Sequence, residues 1–208
     1  MKVNEIFYSI QGEGPQLGMP AVFIRLAGCN LNCSWCDTKY ASHGVEMSTN
    51  EIYEDISSYS CRNVIVTGGE PLIQDDLRSL LIQLLRHKVY IETNGTIFDS
   101  SLIGYAKYIV SPKLEFLDDI KDYKLNLYKW TRFAVFKFVV ENENDIYLVN
   151  KLIKEIKPLY PVYLMPQTTD NEDMRTKLLW LVNQVKSNPI YRVTPRLHIY
   201  LYGNKRGV

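Results

Sequence analysis

Short apolar runs alternate along this chain with polar, glycine-containing loops and with amphipathic stretches. Residues 2 to 8, Ala21 to Ala27, Asn63 to Thr67, Lys88 to Glu92, Tyr108 to Val110, Phe133 to Val140, Val162 to Leu164 and Tyr191 to Thr194 read as strands. Between them lie helical patterns. Ser48 and Glu51 form a capping box ahead of Ile52 and Ile56. Leu77, Leu80, Leu81, Leu84 and Leu85 form one apolar stripe, and Asp145 to Ile156 and Glu172 to Lys186 complete the set. Residues 114 to 132 show no clean period and are expected to be an irregular insertion with at most a helical turn.

Strand, polar loop, often a helix, then another strand is the rhythm of a parallel α/β sheet. At 208 residues the chain is too short for eight βα units of about thirty residues each. The expected fold is therefore an open, partial parallel β/α barrel with a reduced helix count, forming one domain over residues 1–208.

Polar residues gather just past the strand ends: Thr67, Glu70, Thr93, Asn94, Ser111, Lys113 and Gln167. In barrel-type folds that end carries the chemistry. Singly, each is an ordinary cap or turn residue; their recurrence is the signal. Gly12 and Gly14 break the first strand; Gln11 and Glu13 are then either solvated loop side chains or polar contacts to a ligand that the two glycines let the backbone approach. Arg25 stands inside an apolar strand. It is either the partner of a core carboxylate or a two-pronged binder of an anionic ligand.

Composition narrows the class. A net charge of +1 gives no reason to expect a nucleic-acid surface. No apolar run reaches membrane-span length, and the start of the chain lacks the apolar stretch of a signal peptide. A cytoplasmic location is expected, where clustered thiols bind metal rather than pair. The thiols in question lie in Gly28-Cys29-Asn30-Leu31-Asn32-Cys33-Ser34-Trp35-Cys36-Asp37-Thr38. Three cysteines this close can wrap an iron–sulfur cluster and leave one iron without a protein ligand. They can also form a Cys3His zinc site with His43, or pack as plain buried thiols.

The cysteine loop together with Gly68-Gly69-Glu70 resembles the radical S-adenosylmethionine superfamily. Further motifs follow in order: Ser9-Ile10-Gln11-Gly12-Glu13-Gly14, Phe23-Ile24-Arg25-Leu26, Thr67-Gly68-Gly69-Glu70-Pro71, Glu92-Thr93-Asn94-Gly95, Ser111-Pro112-Lys113, Met165-Pro166-Gln167 and Arg196-Leu197-His198. The set, spread over nearly the whole chain, resembles the family of 7-carboxy-7-deazaguanine synthases. That resemblance implies a radical SAM barrel and a lyase that converts 6-carboxy-5,6,7,8-tetrahydropterin to 7-carboxy-7-deazaguanine with loss of ammonia. The product serves deazapurine synthesis for tRNA modification, as in queuosine.

The implied cofactors are a 4Fe-4S cluster, S-adenosyl-L-methionine and Mg2+. Cys29, Cys33 and Cys36 would hold the cluster and Thr38 the magnesium. Trp35, Cys36, Asp37, Gly69 and Glu70 would contact S-adenosylmethionine, as would Ser111, Pro112 and Lys113 and the run Met165, Pro166, Gln167, Thr168. Ile10, Gln11, Gly12, Arg25, Thr67, His198 and the terminal Val208 would contact the pterin, with Arg25 on its carboxylate. The implied partners are an electron donor such as flavodoxin or ferredoxin and a second copy in a homodimer, with no direct nucleic acid and no membrane. The chain departs from the family pattern in Tyr202, where a Trp is frequent, and in having no insert between Cys29 and Cys33. Two rivals remain: a glycyl-radical activating enzyme, which would act on a protein, and a zinc-binding module.

Overall fold

The computed structural model describes every residue except 169, 170 and 204. Its strands are β1 (Lys2–Ile10), β2 (Pro20–Leu26), β3 (Val45–Glu46), β4 (Asn63–Gly68), β5 (Lys88–Thr93), β6 (Lys107–Val110), β7 (Ala134–Val140), β8 (Val162–Pro166) and β9 (Tyr191–Val193). They form one sheet in the order β3-β1-β2-β4-β5-β6-β7-β8-β9. β1 runs antiparallel to β2 and β3, and every pairing from β2 to β9 is parallel. The two edges, β3 and β9, do not pair, so the barrel stays open.

The helices are α1 (Thr49–Ser57), α2 (Leu77–Gln83), α3 (Tyr123–Trp130), α4 (Glu143–Ile156), α5 (Asn171–Val185) and α6 (Leu197–Tyr202). Ser48 caps α1 as its sequence predicts. Its hydroxyl accepts from the Glu51 N–H, while the Glu51 carboxylate accepts from the Ser48 N–H.

Alternation along the strands divides the sheet into two faces. Val22, Ile24, Leu26, Val64 and Val66 point outward and pack with Ile52, Ile56, Leu77 and Leu80 in the main core. Burying each such side chain contributes about 1.5–3 kcal/mol. A second, smaller cluster lines the inner face: Ala21, Phe23, Ile65, Tyr90 and Ile109, with Phe7 stacked on Phe23 at 5.0 Å. This apolar plug lies toward the end where the parallel strands begin.

Residues 114 to 132 are more ordered than their pattern suggests. A 3-10 turn, Leu114–Phe116, leads into α3, which buries Tyr123, Leu127 and Trp130. The i, i+4, i+7 spacing was present but rested on Tyr and Trp, whose polar atoms need partners. Both have them: Tyr123 OH donates to Asn94 O, and Trp130 Nε1 to Ile97 O. Leu85 departs the other way. α2 gives out before it, and the side chain lies in solvent at 65% exposure. β3 and α6 had no sequence counterpart. No helix among the described residues is long and apolar enough to cross a membrane.

Candidate active site

Two residues beyond the apolar plug, the inner face changes character. On β2 the step runs from Phe23 to Arg25, on β4 from Ile65 to Thr67, on β5 from Tyr90 to Glu92 and on β6 from Ile109 to Ser111. With Lys137 of β7 and Met165 of β8, these side chains line a cavity of about 980 Å³ at the C-terminal ends of the parallel strands. That is the upper end of the usual range for small-molecule sites, about 300–1,000 Å³. It leaves room for a cofactor and a substrate side by side.

The cysteine loop forms one wall. Cys29, Cys33 and Cys36 all line the cavity. Leu31 N–H points at Cys29 Sγ (3.4 Å), and Thr38 Oγ1 lies 3.5 Å from Cys36 Sγ. Gly28 O accepts from Glu70 N–H and Leu26 O from Gly69 N–H, so the loop is stitched to the end of β4. A Cβ on Gly69 would lie 1.7 Å from Gly28 O; only glycine lets the two segments touch. Burial pushes the Cys33 thiol up to about 11 and raises Cys29 as well, so loading a metal must displace protons. Three thiols on one loop fit the donor chemistry of an iron–sulfur cluster. His43, the zinc alternative's fourth ligand, lies exposed outside the cavity. Among the described residues no three His, Cys, Asp or Glu side chains gather around a single ion.

Glu70 sits behind this wall rather than in it. It is fully buried and does not line the cavity. One carboxylate oxygen accepts from Thr93 Oγ1 (2.7 Å) and Leu72 N–H (3.0 Å), and the other from Asn94 N–H (2.7 Å). Burial raises its pKa despite those donors. Its side chain is thus spent on joining the ends of β4 and β5. Tyr123 of α3 extends the joint. It accepts from Lys113 N–H (2.9 Å) and donates to Asn94 O (2.7 Å). Lys113 in turn donates to Ser111 Oγ and lies over the Trp35 ring at 5.4 Å. Burial and the nearby Lys137 charge lower its pKa.

The opposite wall is polar and charged. Arg25 has the carboxylate partner that one of its readings expects. Its Nε donates to Glu5 Oε1 (2.7 Å), whereas its terminal nitrogens have no protein partner among the described residues. Its guanidinium lies against the rings of Phe7 and Tyr40. Glu92 accepts from Gln11 Nε2 (3.0 Å) and Thr67 Oγ1 (2.9 Å). Glu13 pairs with Lys137 at 2.5 Å. Burial alone would raise Glu13, but Lys137, Arg196 and His198 outweigh it and hold the carboxyl well below its usual range. Arg196 also pairs with Asp37 and donates to Thr168 O, tying the cysteine loop to the end of β8. His198 packs against Gly12, where any Cβ would lie 1.9 Å from Nδ1, and burial lowers its pKa.

Gly203, Lys205, Arg206 and Gly207 also line the cavity. Arg206 stacks on Tyr40 at 3.8 Å and reaches Glu5 at 3.8 Å, and Val208 lines the cavity.

The predicted residues divide clearly. Ile10, Gln11, Gly12, Arg25, Thr67, His198 and Val208 meet in this cavity, as do the three cysteines and Thr38. Trp35, Asp37, Gly69, Ser111, Lys113 and Met165 join them. Pro112, Pro166, Gln167 and Thr168, like Glu70, do not line it. Gln167 N–H donates to Val140 O, and its carbonyl accepts from Lys177 Nζ; Thr168 is buried. Glu92 and Arg196 stand in the motifs quoted above but carried no role there, and Glu5 and Lys137 carried none either. Their shared signal was a charge placed within or just after an apolar strand.

A protein-family comparison matches residues 23–131 to the radical SAM superfamily. The 7-carboxy-7-deazaguanine synthase of Pyrobaculum aerophilum is 39% identical across all of this chain and 97% of its own length. That of Hyperthermus butylicus is 36% identical across 96% and 92% of the two chains. Among solved structures, QueE from Escherichia coli superposes with a TM-score of 0.73 at 26% identity, covering 95% of this chain and 94% of the other.

Proposed function

The chain belongs to the radical SAM superfamily and, within it, to the 7-carboxy-7-deazaguanine synthases, and from that premise we propose that it converts 6-carboxy-5,6,7,8-tetrahydropterin to 7-carboxy-7-deazaguanine and ammonia. The observation that carries this reading is that the cysteine loop and a ring of substrate-type polar groups open on one cavity. A glycyl-radical activating enzyme would have to admit a protein backbone. A walled cavity with a free guanidinium edge suits a small acid.

Cys29, Cys33 and Cys36 hold a 4Fe-4S cluster in this reading, and Gly69, Ser111, Lys113, Trp35 and Asp37 cradle S-adenosylmethionine beside it. When bound, these cofactors would supply the radical chemistry that no side chain of this protein can. The chain's own task is orientation. Arg25 receives the pterin carboxylate on its two unpaired nitrogens, a two-pronged contact. Gln11, Thr67 and Glu92 are already cross-linked, so polar edges of the heterocycle meet groups that need no reordering. His198 and Val208 close the chamber from the C-terminal side. Thr38 would offer one oxygen to Mg2+, an ion that takes few protein ligands and would act as a Lewis acid beside the substrate. Ring contraction with loss of ammonia is redox-neutral overall, so the conversion as written balances without a net oxidant or reductant.

The same reading makes the chain a one-domain cytoplasmic enzyme. It acts as a homodimer fed by an electron donor such as flavodoxin or ferredoxin. The test is anaerobic turnover of the reconstituted protein with carboxypterin, S-adenosylmethionine and reductant. The deazapurine acid should form, and faster with magnesium. No product under either condition overturns the assignment.

A further inference from the structure

Lys137 is the most buried charge in the chamber that no substrate or cofactor role has claimed. It lies in the middle of β7, 5% exposed, between two apolar neighbours. Its Nζ is 2.5 Å from Glu13 Oε2 and 3.6 Å from Glu92 Oε1. Those carboxylates belong to opposite parts of the sheet, one in the turn after β1 and one on β5. They are also joined a second way. Gln11 donates its Nε2 to Glu92 Oε1 (3.0 Å) and accepts the Glu13 N–H on Oε1 (3.2 Å). Lys137, Glu13, Gln11 and Glu92 therefore close a circuit, and Thr67 Oγ1 hangs from the far oxygen of Glu92. Every member lines the cavity.

We propose that Lys137 is a positioning residue for the pterin: its ammonium clamps the Glu13 and Glu92 carboxylates at the cavity wall and, through Glu92, sets Gln11 and Thr67. This rests on the carboxypterin reading above. Two carboxylates facing one buried cation keep it charged, and the cation keeps them from turning away from each other. The circuit touches none of the three cysteines and none of Gly69, Ser111 or Trp35; it reaches that side only by way of Arg196, which lies 3.9 Å from Glu13 and pairs with Asp37. Its loss should therefore be felt by the substrate well before the cluster or S-adenosylmethionine.

The experiment is anaerobic equilibrium dialysis of carboxypterin against cluster-loaded protein with S-adenosylmethionine present. It compares wild type, Lys137→Met, Glu13→Gln and the charge-balanced pair Glu13→Gln with Lys137→Met. Iron content, S-adenosylmethionine affinity and melting temperature are read in parallel. Lys137→Met should weaken carboxypterin binding at least about tenfold, the weight of one charged hydrogen bond, with iron and S-adenosylmethionine binding unchanged. The double variant should regain the melting temperature but not the affinity. If the Lys137→Met variant is too unstable to purify, the double variant is read against Glu13→Gln alone: weaker binding than in Glu13→Gln supports the clamp, and equal binding overturns it. Unchanged affinity in Lys137→Met overturns it, as does loss of iron and S-adenosylmethionine binding in step with carboxypterin. Failure of the wild type itself to bind carboxypterin sinks the functional reading and takes the clamp with it.

Discussion

Phe23 and Arg25, Ile65 and Thr67, Tyr90 and Glu92, Ile109 and Ser111 are neighbours on the same four strands and the same face of one sheet, yet they form two different materials. The first of each pair belongs to a buried apolar cluster, and of the four Phe23 alone also borders the cavity. The second borders a cavity filled with hydrogen bonds and ion pairs. The two-residue period of a strand decides which side of the sheet a side chain takes. Distance along the strand then decides whether it meets core or chemistry. The lower layer should therefore answer to stability and the upper one to ligand.

The sharpest break of that contrast is Cys33→Ala, beside the upper layer. The variant should lose its iron and all turnover, read by iron analysis and visible absorbance; retention of a full cluster would remove Cys33 from the donor set. Ile65→Ala in the lower layer should cost about 2–5 kcal/mol in urea unfolding, because it empties a fully buried site. The molecules still folded should bind carboxypterin as wild type does, and a large affinity loss would blur the two layers into one. Arg25→Ala should weaken carboxypterin binding by about 10- to 150-fold, equivalent to about 1.5–3 kcal/mol, with the cluster retained. Loss of the cluster would instead give Arg25 a folding role through Glu5.

The smallest effect is a pH dependence. The folded protein holds Glu13 below its ordinary 4.5, so it contributes stability that is complete above that value. That contribution fades as pH falls from 4.5 through the folded value. The melting-temperature gap between wild type and Glu13→Gln should therefore be widest near neutrality and narrow steadily below pH 4.5. A gap that widened on acidification would mean Glu13 is held protonated.

Much of this arrangement was legible beforehand, and the exceptions have physical causes. The strands were readable because buried parallel strands are apolar throughout. The Ser48 cap was readable because its chemistry is local. The cysteine loop needs no fold to be recognised. α3 was missed because its buried face is Tyr123, Leu127 and Trp130, a pattern that works only once Asn94 O and Ile97 O accept from the ring donors. Glu70 was read as a contact because a strand-end carboxylate ordinarily faces the site. Its burial depends on Thr93 and Asn94 from a strand 23 and 24 residues away in sequence. Lys137 showed only as a charge inside a strand, since Glu13 and Glu92 lie 124 and 45 residues from it and become partners only when the sheet curls.

The most direct test of the upper layer as the substrate's seat is a structure of the cluster-loaded protein with S-adenosylmethionine and carboxypterin, grown without oxygen. The account predicts the pterin carboxylate against the free nitrogens of Arg25 and the heterocycle alongside Gln11, Thr67 and Glu92. A pterin bound with its carboxylate away from Arg25, or outside the cavity altogether, would contradict it.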